Sequence, residues 1–430
     1  MKTDVLIVGA GCAGLYCALH LPQDKQIWIL TKDKVSHSDS FLAQGGICML
    51  KDESDYDSYY EDTMRAGHYE NNPESVEIMI RSSWDTIKDL LGYGVDFQRE
   101  ADGSLSFTKE GGHSAKRILF HADITGKEIT TKLLEKVKER PNIKIMEYYT
   151  MVDLICQNNC CYGAVVRNPE GSMERIDVKT TVLACGGIGG LYRHTTNYRH
   201  LTGDGIAVAL KHHIEVEHIN YVQIHPTTLY SDQAKERSFL ISESVRGEGA
   251  VLYNAKKERF VNELLPRDVL TEKIYEQMEK DNMPYVWLSM ENIPKEELQN
   301  HFPNIVKHCK EQGYDVFREC IPVVPAQHYF MGGIRINMFG RTSMKQLYAA
   351  GETACNGVHG RNRLASNSLL ESLVFAKRAA KEIGRGMQDS KEERSPIETV
   401  DMLQYQNKEE LEKTYKQTIL NEIERLNNYV

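Results

Sequence analysis

The 430-residue chain carries 52 Lys and Arg against 61 Asp and Glu, a net charge of -9, and 41% of its residues are apolar. That length exceeds one compact core, so two or more domains are expected, and the acidic balance argues against nucleic acid as a partner. No apolar run is long enough for a membrane span, the opening strand leaves no room for a signal peptide, and the ten cysteines lack metal-site spacing, which predicts free thiols in a reducing cytoplasm and no metal.

Asp4–Val8 is a short apolar run, followed without a gap by Gly9-Ala10-Gly11-Cys12-Ala13-Gly14. Leu15, Ala18 and Leu19 then fall at helical spacing until Pro22. Strand, glycine turn and helix in that order are the pattern that cradles a pyrophosphate. The first glycine permits the turn, the second admits the phosphates, the third lets helix and strand pack, and the helix N-terminus offers N–H groups. The second strand, Gln26–Leu30, should end in a ribose-binding acid. Thr31-Lys32 stands there instead, so two readings remain open here: a 2′-phosphorylated nicotinamide cofactor, or a flavin site without its ribose carboxylate.

Residues 36–46 are small, polar and glycine-rich and predict a loop that approaches a ligand. Residues 54–92 predict helices, one starting at Asn72-Pro73, with Ile78, Trp84, Ile87, Leu90 and Leu91 as core. Glu110-Gly111-Gly112-His113-Ser114 is a second glycine loop, now carrying charge. A helix from Asp123 leads to an alternating segment, Lys144–Met151, and Asn168–Gly171 predicts a turn. Thr181–Cys185 reads as a second buried strand, and Thr202–Gly205 opens a helix. From His218 to Gln327 the texture changes, predicting an inserted domain. Leu347–Glu352 is a last strand ending in an acid, and residues 360–371 lead into a helix. In the tail, Ser395-Pro396-Ile397-Glu398 is a capping box, Asn407 with Glu410 predicts another helix start, and Leu411, Tyr415, Ile419, Ile423 and Leu426 form an apolar stripe.

The glycine motif, Ala43-Gln44-Gly45-Gly46, Gly203-Asp204-Gly205, His225-Pro226-Thr227, His328-Tyr329, Gly351-Glu352 and Ser366-Asn367-Ser368-Leu369 occur in this order. Together they resemble the fumarate reductase and succinate dehydrogenase flavoprotein family over roughly residues 1–385. Thr31-Lys32 and the Glu110 loop are similar to the branch of that family that oxidises L-aspartate. The resemblance implies a Rossmann-like α/β FAD-binding domain (1–217 and 328–390), an inserted α+β capping domain (218–327) and a short helical tail (391–430), where relatives carry a larger helical domain. It implies FAD, not NADP, lined by Gly9–Gly14, Lys32, Asp39, Ser40, Gln44, Gly45, Gly46, Asp204, Glu352, Ser368 and Leu369. Respiratory relatives attach FAD to a histidine at the position of Asp39, so the flavin is expected to be non-covalent.

For the chemistry, the resemblance implies that Arg363 and His328 grip one carboxylate of a four-carbon dicarboxylate and His225 and Ser242 the other. A hydride passes from C2 to flavin N5, giving iminosuccinate, and oxygen or fumarate reoxidises the flavin. Arg267, relayed through Glu243 and Arg246, matches the proton donor of fumarate reduction, and Glu110 answers the substrate ammonium. The expected setting is cytoplasmic NAD biosynthesis, with quinolinate synthase as the functional partner. Two alternatives stand beside this reading: a fumarate reductase or succinate dehydrogenase flavoprotein subunit, and a catalytically silent FAD-binding interaction protein.

Overall fold

The opening apolar run becomes the strand Lys2–Val8, central to a seven-stranded sheet, in the computed structural model, which describes residues 1–231, 237–389 and 400–427. Its parallel neighbours are Ile27–Thr31 on one side and Met173–Leu183 on the other. Ile143–Glu147 extends the first side and Leu347–Ala349 the second, all in parallel. Val5, Leu6 and Ile7 are fully buried, as both faces of a parallel sheet must be. The order places a topological switch beside Lys2–Val8, where the strands' carboxyl ends open a crevice. Cys160–Arg167 and Thr150–Gln157 continue the sheet as an antiparallel flap.

Several elements differ from the sequence reading. The alternating stretch Lys144–Met151 is two strands, because Tyr148 takes a positive φ of 63° and breaks the run. The loop at 36–46 contains one helical turn, Asp39–Leu42. Trp84 is half exposed at 51%, while Ile87 and Leu90 on the same helix are fully buried; the buried stripe of Ser83–Gly92 runs through Ser83, Thr86, Ile87 and Leu90, and Trp84 falls off it. The Asn72 side chain caps its helix, accepting from Glu74 N at 3.0 Å and Ser75 N at 3.2 Å.

A second, four-stranded antiparallel sheet joins Val222–Leu229, Ile321–Phe330, Val286–Ser289 and Val251–Tyr253. Leu252, Leu270, Ile274, Leu288 and Ile305 give it an apolar core of its own. The strand Ile321–Phe330 runs straight through position 328. At the edge between the two layers, the Asp123 carboxylate accepts from the backbone N–H of Asn304 and Ile305, both at 3.0 Å, and from Asn304 Nδ2 at 2.7 Å. It thereby caps the helix Pro303–Glu311, where a carboxylate meets unpaired amides and the positive end of the dipole.

The expected capping box at Ser395–Glu398 lies outside the described residues. The next one is present: Glu410 N donates to Asn407 Oδ1 at 3.2 Å, and Asn407 Nδ2 to Glu410 Oε2 at 3.0 Å. The helix Lys408–Asn427 that follows buries Tyr415 and Ile419 against the first layer. None of the ten cysteines is held in a disulfide.

Candidate active site

The crevice at the switch point is lined by the strand ends Val8, Leu30–Lys32, Ala184–Gly186 and Ala350–Glu352, and encloses about 1670 Å³ of space, part of it open to solvent. Its lining runs from the turn at Gly9–Ala13 to His225, Arg267 and Arg363, so the glycine turn and the arginine–histidine cluster share one cleft. Two glycines show why the turn admits nothing larger. Gly9 has φ +116° and a Cβ there would stand 1.9 Å from Ala184 O; a Cβ on Gly14 would stand 2.0 Å from Gly9 O. At Gly11, by contrast, the nearest atom to an added Cβ is Ser40 Oγ at 3.2 Å, which leaves that glycine facing the cleft.

One amide expected to be free at the helix N-terminus is held: Cys12 N–H donates to Ser40 Oγ at 3.0 Å. Lys32 Nζ donates to Asp204 Oδ2 at 2.8 Å and to Thr202 Oγ1 at 2.9 Å, so the pair neutralises itself beside the cleft. Asp39 Oδ1 accepts from Tyr198 N at 3.0 Å. Asp39 Oδ2, Gln44 Oε1 and Ser38 Oγ are buried around the cleft with no hydrogen-bond partner among the described residues. Such orphaned atoms are costly unless a ligand satisfies them. The polar groups and glycine cradle therefore fit a dinucleotide such as FAD, and Gly9–Ala13, Ser40, Gln44–Gly46, Asp204, Glu352, Ser368 and Leu369 line the cleft where it would lie.

Burial pushes the Asp39 carboxyl up to about 7 and that of Glu352 up to about 8, the second also raised by Asp39 itself. Folded pKa values above the ordinary carboxylate range of roughly 4 mean that the folded flavin-free protein binds more protons than the unfolded chain. The stability these two groups contribute is therefore fully present below about pH 4 and is lost as pH rises through 7 to 8. Glu352→Gln is expected to flatten that decline, read as the melting temperature of flavin-free protein between pH 5 and 9. A parallel slope in parent and variant would refute it.

The substrate end of the cavity holds Glu110, His225, Ser242, Glu243, Arg267, His328 and Arg363. His225 and His328 sit with ring centroids 5.1 Å apart. Burial and the nearby Arg267 hold both well below the ordinary imidazole range, so they are neutral donors and the arginines are the cations. Thr196 Oγ1 orients His328 through Nδ1 at 2.8 Å, and the Thr227 backbone orients His225. Arg363 packs over the Tyr329 ring at 4.5 Å, bonds Ser368 Oγ at 3.2 Å, and leaves Nε without a partner.

Arg267 Nε donates to Glu243 Oε2 at 2.6 Å and Nη1 to Gln223 Oε1 at 2.7 Å. Arg246 lies behind Glu243, with Nη2 at 3.9 Å from the same oxygen, and does not line the cavity. Gln223 was not among the residues singled out from the sequence. Its Nε2 donates to Asn362 Oδ1 and to Arg363 O, each at 2.8 Å, so it ties the two arginines together. Its spacing of two from His225 along a strand was the available signal. Glu110 is 4% exposed, not free in a loop. Ser244 Oγ donates to its Oε1 at 2.8 Å and Ser366 Oγ to its Oε2 at 2.6 Å. Burial first, then Glu243, raises its pKa.

With this geometry in hand, the profile of the FAD binding domain matches residues 4–369. An L-aspartate oxidase of Clostridium perfringens is 52% identical over 380 residues, 88% of this chain and 86% of that protein. The chain belongs to the L-aspartate oxidase family. A Clostridium acetobutylicum member is 49% identical over 90% of this chain and 89% of its own. The chain spans 61% of the chloroplastic L-aspartate oxidase of Arabidopsis thaliana, at 40% identity. Among solved structures, the FrdA chain of Escherichia coli quinol fumarate reductase superposes with a TM-score of 0.86 at 29% identity, over 92% of this chain and 72% of that one. FAD is thus the cofactor of this L-aspartate oxidase family member. Among the described residues no helix is long and apolar enough to cross a membrane.

We propose that FAD is held non-covalently, because Asp39, and not a histidine, occupies the cleft-lining position expected for attachment. Acid precipitation is therefore expected to release all flavin into the supernatant; flavin retained on the denatured chain would contradict this.

Proposed function

We propose that this chain oxidises L-aspartate to iminosuccinate, the first step of NAD biosynthesis, with oxygen or fumarate as electron acceptor. The observation that carries the reading is Glu110: a buried carboxylate in a cavity whose other charged walls include two arginines. A dicarboxylate calls for the arginines; an acid beside them is useful only if the ligand also bears a cation. Bound FAD supplies a two-electron acceptor for the hydride of C2.

The chain's own residues do the rest. Arg363, aided by His328, grips one carboxylate, and its planar fork suits bidentate binding. His225 and Ser242 hold the other. Fixing both ends orients C2, which is most of what positioning can contribute. Glu110 receives the ammonium. Arg267, backed by Glu243 and Arg246, stabilises charge at the reacting carbons and delivers the proton when fumarate is reduced. Residues 218–327 act as a cap over the cofactor layer, supported by their separate sheet and core. Ten cysteines without a disulfide support a cytoplasmic setting, and the reactivity of an imine supports coupling to quinolinate synthase. The test is anaerobic mixing with single substrates: L-aspartate bleaches the flavin and succinate does not. Bleaching by succinate alone would favour a succinate dehydrogenase-type activity.

A further inference from the structure

Oxidising an ammonium-bearing carbon requires one proton more than gripping the substrate does. The C2–H electron pair leaves as hydride only if nitrogen supplies a pair to form C=N, so an N–H bond must break and its proton must go elsewhere. Glu110 is the acceptor within the reading above, on which this inference rests. Buried, it cannot pass the proton directly to water.

The helix Glu243–Gly247 has two working faces. Glu243 and Arg246, three apart, face Arg267. Ser244 and Glu248, four apart, share the adjoining face. Ser244 Oγ touches Glu110 Oε1 at 2.8 Å. On its far side lies a second cavity of about 20 Å³, lined by Ser244, Gln44, Phe120, Phe302, Glu248 and His301. Roughly 10–15 Å³ suffices for a water molecule. At its other end Glu248 and His301 form an ion pair, Oε1 to Nδ1 at 3.0 Å, with side chains 24% and 43% exposed. Gln44, Gly45 and Ser242 border both cavities.

We infer that this small cavity is a proton exit: the ammonium proton passes to Glu110, through the Ser244 hydroxyl and a cavity water, to the Glu248–His301 pair and then to solvent. Each step breaks one O–H or N–H bond and forms another, with no change of oxidation state. Glu243, Arg267, Arg246, Arg363 and Cys48 are the charged or titratable groups that act on Glu110; on Glu248 they are His301 and Glu297. Burial raises the Glu248 carboxyl above the ordinary carboxylate range, which eases its uptake of a proton in transit. Carbon protonation of fumarate uses the Glu243 and Arg246 face of the helix and does not need this route.

The test follows L-aspartate-driven flavin bleaching and proton appearance together, with a pH-indicator dye in weak buffer, in the parent and in Glu248→Gln, His301→Gln and Ser244→Ala. Bleaching is expected to slow on the order of tenfold, less than the 10²–10⁴ lost with a general base because water substitutes in part. The solvent isotope effect should rise, and added imidazole should restore the rate. Loss of fumarate reduction should be at least fivefold smaller. His301→Gln, at the surface, keeps the test open if a buried variant fails to fold. Variants that bleach with parental rate and isotope effect, or that slow both substrates alike without buffer rescue, overturn the exit route. A parent that L-aspartate does not bleach overturns the functional reading instead, and this one with it.

Discussion

Arg267→Lys is expected to lower fumarate reduction on the order of 10²–10³-fold, the scale of losing one preorganised donor at a developing charge, while dicarboxylate binding stays measurable. The guanidinium acts from three directions at once. Nε is committed to Glu243 at 2.6 Å and Nη1 to Gln223 at 2.7 Å, leaving the remaining nitrogen for the cavity that Arg267 lines. Lysine keeps the charge but offers its donors from a single point, so it cannot hold carboxylate and amide while reaching substrate. Arg363, His328 and His225 are untouched and retain the ligand. Fumarate reduction at the parental rate in the lysine variant would remove Arg267 from the role of proton donor. Loss of succinate or fumarate binding along with rate would assign it to gripping instead.

The second large effect is expected at Glu110. Glu110→Gln preserves shape, and the Ser244 and Ser366 hydroxyls, each able to turn, can accept from the new amide as readily as they donate to the present carboxylate. What disappears is the charge. A charge-assisted hydrogen bond contributes about 1.5–3 kcal/mol, so kcat/KM for L-aspartate should fall at least on the order of ten- to a hundredfold, and up to about 10⁴-fold where the proton acceptor is lost as well. Fumarate has no ammonium, and removing one of two neighbouring carboxylates relieves repulsion, so its kcat/KM should hold or rise. The pH profile adds a separate sign. Glu110 sits above the ordinary carboxylate range through burial and Glu243, so the parent loses L-aspartate activity as pH falls through that raised value, and the variant should lack this acid limb. Equal losses for both substrates would reduce Glu110 to a prop for its loop.

The lining of the cleft at the strand ends was legible because its signals are local. Gly9 to Gly14 follow an apolar run directly, and Glu352 follows another. The second layer of contacts was not, because it is made across the chain. Ser366 and Glu110 are 256 residues apart, and no spacing announces that a serine will meet an acid. The same holds for Gln223, whose amide links Arg267 to the Arg363 backbone only after two sheets have packed. Local rules also failed where backbone overrode pattern: the alternation of Lys144–Met151 continues across Tyr148, but its positive φ ends the strand. Trp84 was assigned to the core on hydrophobicity, yet helix geometry turns it outward.

The Asp123 contact has a consequence for turnover. Arg267 and Glu243 belong to elements around the second sheet, Glu110 and Arg363 to the first layer, so the substrate-gripping set is assembled across a seam. Asp123 closes that seam at one edge with three hydrogen bonds to the start of a single helix. Any parting of the layers there must break all three together, and it would disperse the arginines while leaving the glycine cradle whole. On the roles proposed for these residues, holding a dinucleotide and holding a dicarboxylate are thus mechanically separate tasks in this fold.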